Sequence, residues 1–216
     1  MSDNVAFQRN LHDGYKGKYQ AETNARILIR TVKKYVRDGI LDIGAANGAL
    51  LEQLDGLGFK DLKGIDLVPK SKRVIQGSIT DLPFEDGTFY TVFCTEVVEH
   101  LDKGQMFKGL KEIKRVLKKD GCLILTVPHD EDFSLNMVTC PDCGKEFHRW
   151  GHVQRFSRKD IGRVLTKNGH SIIFEGIYAF GAMSKLPLGS HLNWLFKRFD
   201  YDFLQKSIVV VARKKR

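Results

Sequence analysis

The chain has 216 residues, of which 42% are hydrophobic, and it carries a formal net charge of +9. This length suits one α/β domain over residues 1–216, and the hydrophobic content excludes wholesale disorder. The longest apolar run, Ile208–Ala212, is too short to cross a membrane, so no stable membrane span is expected.

Two features predict a cytoplasmic location. Residues 1–4 lack the basic and then apolar pattern of a secretory signal. Four cysteines in a chain of this size do not make a disulfide scaffold, and two of them form a C-x-x-C pair.

The positive charge would suit an acidic partner such as RNA. Much of it, however, lies between Lys108 and Lys119, where Phe107, Leu110 and Ile113 recur at helical spacing. The lysines then fall on the opposite face of a helix, and a solvated surface is the ordinary reason for such a face. The charge therefore does not identify a partner by itself.

Helical and extended patterns alternate along residues 22–127. Apolar residues along one side predict helices over residues 22–36 and 49–57, and a basic helix follows Gly104. The predicted strands are Ile40–Ile43, Leu62–Asp66, Val74–Gly77, Tyr90–Cys94 and Cys122–Val127. This alternation implies a parallel sheet that is covered on both faces.

The alternation breaks beyond Pro128. Residues 137–153 form a small insert rich in cysteine and histidine, and a helix is predicted from Ser157 to Asn168. Strands are predicted over Ser171–Phe174 and Ser207–Ala212. Residues 1–21 are expected to form a lid-like segment. The aromatic connection at 192–203 is expected to pack over the sheet, with a substrate lid or a membrane contact as alternatives.

A turn with the pattern D-x-G-x-A-x-G joins the first predicted strand to the next helix. Such a turn presents backbone N–H groups and a positive helix dipole to a ligand. Asp42 would repel a pyrophosphate but suits a ligand that carries an ammonium group, as S-adenosylmethionine (SAM) does. Asp66 ends the second strand, where a carboxylate accepts hydrogen bonds from ribose hydroxyls. A glycine turn alone is a weak signal, so a tight turn without a ligand remains an alternative.

Further motifs give the chain a recognisable family pattern. It resembles the class I SAM-dependent methyltransferases, within them the group with an L-P-F…F-(D/Y)-x-V…E-H-L signature. The matching segments, in order, are Ile40–Gly44, Gly64–Asp66, Gly77–Val92, Glu99–Leu101, Ile113–Gly121, His152–Ser157 and Leu165–His170. The resemblance implies a Rossmann-like, doubly wound, seven-stranded and mostly parallel sheet with helices on both faces and an antiparallel last strand.

The resemblance also implies a set of cofactor-binding residues. Asp42 would lie behind the amino group of SAM, Asp66 would hold the ribose, and Thr95 would lie beside the sulfonium. The full set is Asp42, Gly44, Ala46, Asn47, Gly48, Asp66, Leu67, Ser78, Ile79 and Thr95.

Two departures from the family pattern concern the adenine side of this pocket. Position 78 is usually an acid, and Ser78 is a weaker acceptor for the adenine amino group. Only residues 67–73 separate the second and third strands, which is too short for a crossover helix. A more open pocket and weaker cofactor binding are therefore expected.

Methyl transfer from a sulfonium is an in-line displacement, so alignment and desolvation supply much of the acceleration. A base is needed only where the acceptor must lose a proton. His129 and Glu96 follow predicted strands and are the candidate catalytic residues. Glu99 and His100 are interpreted as structural residues that anchor a helix start.

The insert carries the pattern C-x2-C-x4-H-x3-H. Cys140, Cys143, His148 and His152 are therefore predicted to bind a structural zinc ion in a tetrahedral site. An alternative has His152 face the substrate, which leaves three ligands and a water.

The expected function is SAM-dependent methyl transfer to a small metabolite, a lipid precursor or a saccharide. The alternative is an RNA-binding protein or RNA methyltransferase that uses the insert as a zinc knuckle, so RNA remains open as a partner. A nicotinamide oxidoreductase is disfavoured by Asp42 and Ala46. The pattern fixes neither the acceptor atom nor the oligomeric state.

Overall fold

The computed structural model describes residues 21–180 and 206–215. The expected N-terminal lid up to residue 20 and the aromatic connection at 192–203 lie outside the described residues. Four α-helices are present in the described part: α1 (Ala21–Val32), α2 (Ala49–Gly56), α3 (Lys103–Val116) and α4 (Arg158–Lys167). The strands there are β1 (Ile40–Ile43), β2 (Leu62–Asp66), β3 (Val74–Gln76), β4 (Phe89–Thr95), β5 (Leu117–Pro128), β6 (Met137–Thr139), β7 (Glu146–His148), β8 (His170–Tyr178) and β9 (Ser207–Lys214).

Seven of these strands form one sheet in the order β3-β2-β1-β4-β5-β9-β8. Neighbouring strands from β3 to β5 are parallel, and β9 runs antiparallel to both β5 and β8. The predicted Rossmann-like sheet with an antiparallel last strand is therefore confirmed. Because the chain reverses its winding direction between β1 and β4, their carboxyl ends flank the crevice where ligands bind in such sheets.

Alternate residues of the central strands pack into two separate cores. Leu41 and Leu123 belong to a core with apolar residues of α3 and α4, whereas Ile40, Phe93 and Ile124 belong to a core with α1 and α2. This division follows from the two-residue period of a strand. Helices on both faces explain why β1 is buried at every position.

The connection between β2 and β3 contains turns and no helix at residues 67–73, as its length predicts. The insert is a two-stranded hairpin, in which β6 pairs with β7, and a short 3₁₀ helix over Phe133–Asn136 precedes it. The hairpin follows the carboxyl end of β5, so it lies on the ligand-binding side of the sheet.

Several boundaries differ from the sequence prediction. Helix α1 ends at Val32 and continues as a 3₁₀ turn over Lys33–Tyr35, whereas one helix to residue 36 was expected. Strand β5 already starts at Leu117, which is fully buried and paired with Phe89. Within the described residues, no helix combines the length and the apolar character that a membrane span requires.

Candidate functional site

Backbone strain marks the carboxyl edge of the central strands. In the described part of the chain, the non-glycine residues with positive φ are Ala46 (44°), Glu96 (53°) and Asp130 (44°). They follow β1, β4 and β5. A left-handed conformation costs a residue with a Cβ about 1–2 kcal/mol, and such strain concentrates at functional sites. The coincidence of all three at one edge therefore points to the ligand-binding crevice.

The glycine turn after β1 is tied to the end of β2. The N–H groups of Gly44 and Ala45 donate to the Ile65 carbonyl at 2.9 and 3.2 Å. Gly44 has a φ of +77°, and a Cβ there would lie 2.5 Å from Val97 Cγ2. Gly48, at φ +82°, is the residue that starts α2. Glycine at position 44 is thus required both by its φ and by the close approach of the segment after β4.

Asp42 lies beneath this turn and is only 2% exposed. Its Oδ1 has no hydrogen-bond partner in the described structure. Burial, followed by the nearby charge of Asp66, raises the pKa of Asp42 from 3.8 to about 8. A buried carboxyl that lacks a partner is costly, and a cationic ligand group would compensate that cost.

Asp66 connects the glycine turn to the β2–β3 connection. Its Oδ2 accepts from the Ala46 N–H at 2.9 Å, and its Oδ1 accepts from the Val68 N–H at 2.8 Å. Each carboxylate oxygen can accept a second hydrogen bond, so a ribose remains compatible with this arrangement. Leu67 beside it is 36% exposed, and Asn47 accepts from the Ala49 N–H at the start of α2.

Ser78 and Ile79, the residues predicted to contact adenine, both make contacts within the protein. The Ser78 hydroxyl hydrogen-bonds to the Thr80 hydroxyl at 2.9 Å. The Ile79 side chain is buried, and a Cβ on Gly109 of α3 would come within 2.9 Å of it. Contact between Ile79 and an adenine would therefore have to come from its main chain. Thr95 is half-buried at the end of β4.

Arg115 of α3 holds the segment that follows Ser78 and Ile79. Its guanidinium donates to the Leu82 carbonyl at 2.9 Å and to the Phe84 carbonyl at 2.6 Å. It also forms ion pairs with Glu112 and Asp86. One arginine of α3 therefore joins this helix to the Leu82–Phe84 segment.

The two candidate bases have different surroundings. Glu96 is exposed, yet the protein around its carboxyl raises its pKa, and hydrogen bonds with Thr126 and Ser207 partly oppose that increase. His129 Nε2 lies 3.3 Å from an Asp130 carboxylate oxygen that is itself half exposed.

The four predicted zinc ligands are not all brought together. Cys140 and Cys143 lie in the turn of the β6–β7 hairpin, where hydrogen bonds from the N–H groups of Cys143 and Asp142 lower the pKa of Cys140. His148 and His152 are buried and stacked, with ring centroids 4.6 Å apart. The structure brings His148 and His152 together but does not bring the two cysteines to them, so the Cys₂His₂ site remains a prediction.

The histidines instead meet carboxylates that the sequence did not single out as ligands. Over residues 21–180 and 206–215, two groups of three metal-binding side chains place their ligand atoms within 4.8 Å of one another. One is Glu131 with His148 and His152, and the other is Glu99 with His100 and His152. Neither of these two groups contains a cysteine.

Glu131 is the functional residue that the sequence interpretation missed. Its Oε2 lies 2.5 Å from His152 Nδ1, and its side chain is 8% exposed. Burial opposes ionisation of Glu131, but hydrogen bonds from His152 and Asn136 act in the opposite direction, and the pKa of Glu131 is lowered. The available signal was its position three residues after Pro128, at the carboxyl end of β5.

Residues 41–125 match the family model described as a methyltransferase domain. An uncharacterized protein of Methanocaldococcus jannaschii is 36% identical over 93 residues, which make up 41% of this chain and 40% of that protein. A SAM-dependent methyltransferase of Methanosarcina mazei superposes with a TM-score of 0.64 at 16% identity, covering 86% of this chain and 97% of that one. The Burkholderia thailandensis 1,6-didemethyltoxoflavin-N1-methyltransferase, solved with 1,6-didemethyltoxoflavin and S-adenosylhomocysteine, gives 0.63 at 15% identity, covering 100% and 87%.

The structural similarities at these identities show a shared fold. The family match covers the glycine turn and the E-H-L motif, and together with the fold it supports the class I SAM-dependent methyltransferase superfamily. The matched segment spans 40% of the length of that M. jannaschii protein.

Proposed function

We propose that the protein binds SAM at the carboxyl ends of β1, β2 and β4 and transfers its methyl group to a small acceptor. The observation that carries this proposal is the buried Asp42 carboxyl beneath the glycine turn, with an unpartnered oxygen. An ammonium group above it would supply the missing charge and hydrogen bond, and SAM carries that group without a phosphate. The family match over residues 41–125 includes this same turn.

The chain's own residues then have limited tasks. The glycine turn and Asp66 would hold the methionine and ribose parts, and Leu67 would cover an apolar side of the cofactor. Methyl transfer requires the acceptor to lie in line with the sulfonium and away from bulk water. Glu96, whose pKa is raised despite hydrogen bonds with Thr126 and Ser207, is the better suited of the two proposed bases for an acceptor that must lose a proton.

Calorimetric titration of the full chain with S-adenosylhomocysteine and, separately, with NAD⁺ tests the cofactor. We expect the former to bind more weakly than nanomolar, because the adenine edge has Ser78 in place of an acid, and the latter not to bind. Binding of NAD⁺ alone would contradict the proposal.

The acceptor is proposed to be a small metabolite, a lipid precursor or a saccharide, with RNA as the alternative. Transfer of a labelled methyl group from SAM to extracted metabolite, lipid and RNA fractions separates these classes. RNA affinity should be compared between about 50 and 200 mM salt, where binding through six or more phosphate contacts weakens by about a thousandfold or more. A labelled RNA fraction with that salt dependence would favour the alternative.

Structural zinc at Cys140, Cys143, His148 and His152 is carried forward as a second proposal, and it excludes any other metal site that uses His152 as a ligand. The hairpin turn supports it, since it directs two N–H groups at the Cys140 sulfur as a thiolate ligand requires. Closing the site would require the hairpin turn to approach the two buried histidines.

A further inference from the structure

The turn that carries the E-H-L motif is joined to the segment that follows the insert. The N–H groups of Val153 and Gln154 donate to the Glu99 carbonyl at 2.8 and 3.1 Å. His100 Nδ1 lies 3.2 Å from the Gly151 carbonyl. These bonds hold His152 beside Glu99 and His100, although about fifty positions separate them in the sequence.

Glu99 is the residue whose surroundings demand a ligand. It is 1% exposed, and neither of its carboxylate oxygens has a hydrogen-bond partner in the described structure. A buried carboxyl group without partners is unfavourable, so such groups are usually paired or bind a metal. Its ligand atom lies within 4.8 Å of those of His100 and His152, whose rings meet edge to face at 4.8 Å.

The hydrogen bonds of the two imidazoles determine which nitrogen carries the proton. A carbonyl oxygen only accepts, so His100 Nδ1 donates to Gly151 and its Nε2 holds the lone pair. His152 Nδ1 donates to Glu131 Oε2, so the lone pair of His152 is also on Nε2. Metal-bound histidines are oriented in this way, with the other ring nitrogen donating to a carbonyl or a carboxylate.

The group formed by Glu131, His148 and His152 is less suited to a metal. His148 Nδ1 accepts a hydrogen bond from the His152 N–H, so the proton of the neutral ring occupies Nε2, which lies 3.3 Å from Glu131 without a hydrogen bond. The Glu131 oxygens already accept from His152 and from Asn136. Glu131 is therefore satisfied, whereas Glu99 is not.

We propose that Glu99, His100 and His152 bind one divalent transition-metal ion, with Glu131 as the residue that positions His152. Two imidazoles and one carboxylate are a common ligand set for zinc, and they leave a coordination position for water or a substrate atom. Zinc bonds of about 2.1 Å require the ligand atoms to close to about 3.4 Å. The site lies next to Glu96, which follows β4.

Metal analysis of the full chain, dialysed against micromolar Zn²⁺ and then against buffer, tests this site without SAM. The variants are Glu99→Gln, which keeps the side-chain shape, and Cys140→Ser, with the exposed Glu85→Gln as the control. We expect one zinc per chain in the wild type, Cys140→Ser and Glu85→Gln, and at least a tenfold loss of zinc affinity in Glu99→Gln. Glu131→Gln should weaken affinity by about 10–100-fold.

Other outcomes overturn the proposal. It is wrong if the wild type binds no zinc, if Cys140→Ser loses it, or if Glu99→Gln retains it. Cobalt(II) loading of the wild type gives a readout that does not depend on any variant folding. A nitrogen and oxygen site gives no thiolate-to-cobalt charge-transfer band, whereas the predicted Cys₂His₂ site gives a strong one. Failure of methyl transfer would leave these metal measurements unaffected.

Discussion

Replacement of Asp42 by asparagine tests the buried carboxyl beneath the glycine turn. The asparagine side chain keeps the size of the original but cannot ionise. In the folded wild type, burial and the charge of Asp66 raise the pKa of Asp42 from 3.8 to about 8. Since the folded chain holds this proton more tightly than the unfolded chain, Asp42 favours folding most below pH 3.8, and this contribution is lost progressively up to pH 8.

The size of the effect follows from the separation of the two pKa values. Between pH 5 and pH 7 the wild type should lose about 1.4 kcal/mol of unfolding free energy per pH unit through Asp42, or about 2.7 kcal/mol in total. The asparagine variant lacks this dependence. Its buried amide changes the stability equally at all pH values, so the difference between pH 5 and pH 7 isolates the ionisation.

Urea unfolding of the ligand-free protein at pH 5, 6 and 7 measures this difference, with Asp120→Asn in an exposed part of β5 as the control. The stability of Asp42→Asn relative to the wild type should grow with pH, and Asp120→Asn should run parallel to the wild type. At pH 7, Asp42→Asn should also weaken S-adenosylhomocysteine binding by about tenfold to a hundredfold, the value of a hydrogen bond to a charged group. A stability difference that is flat with pH would refute the assignment of a neutral, buried Asp42.

Three further predictions concern stability and are measured by urea unfolding. Gly44→Ala should cost about 2–5 kcal/mol, since the left-handed strain adds to a collision with Val97. The control, Gly87→Ala, has the same strain but open space, and it should cost only about 1–2 kcal/mol. Equal costs would contradict the close approach of Val97 to Gly44. Arg115→Lys should cost about 1–3 kcal/mol, because a single ammonium nitrogen cannot reproduce the bonds that three guanidinium nitrogens make to Leu82, Phe84, Asp86 and Glu112. A change under about 0.5 kcal/mol would argue against this role of Arg115. Burial and the nearby charge of Lys114 lower the pKa of His170 from 6.5 to about 4. The wild type should therefore lose up to about 3 kcal/mol of unfolding free energy as the pH falls from 6.5 to 4. His170→Leu has no group to protonate, so its loss over this range should be smaller by the same amount.

Local pattern was sufficient to predict most of the sheet. Strands β1, β2 and β4 have buried residues at their centres and lie next to glycines or acids, so their existence follows from hydrophobic periodicity. Boundaries were less accurate where tertiary pairing extends an element. Leu117 and the basic residues after it join β5 because β4 pairs with Leu117, whereas the sequence alone favours a longer helix.

In the insert, by contrast, tertiary contacts rather than local pattern decide which side chains meet. Spacing along the chain brings Cys140 and Cys143 to one turn, but it does not determine which distant side chains His148 and His152 meet. That depends on how the end of β5 and the E-H-L turn close around the hairpin, and the structure pairs the histidines with Glu131 and Glu99.

The sequence by itself determined the glycine turn, its acid at Asp42 and the succession of strands along the chain, because these depend on residues that are neighbours along the chain. Only the tertiary structure decided that Asp42 lies buried without a partner for its Oδ1 and that Glu99, His100 and His152 come together at one place. Burial and the meeting of distant carboxylates are properties of packing, and no local pattern encodes them.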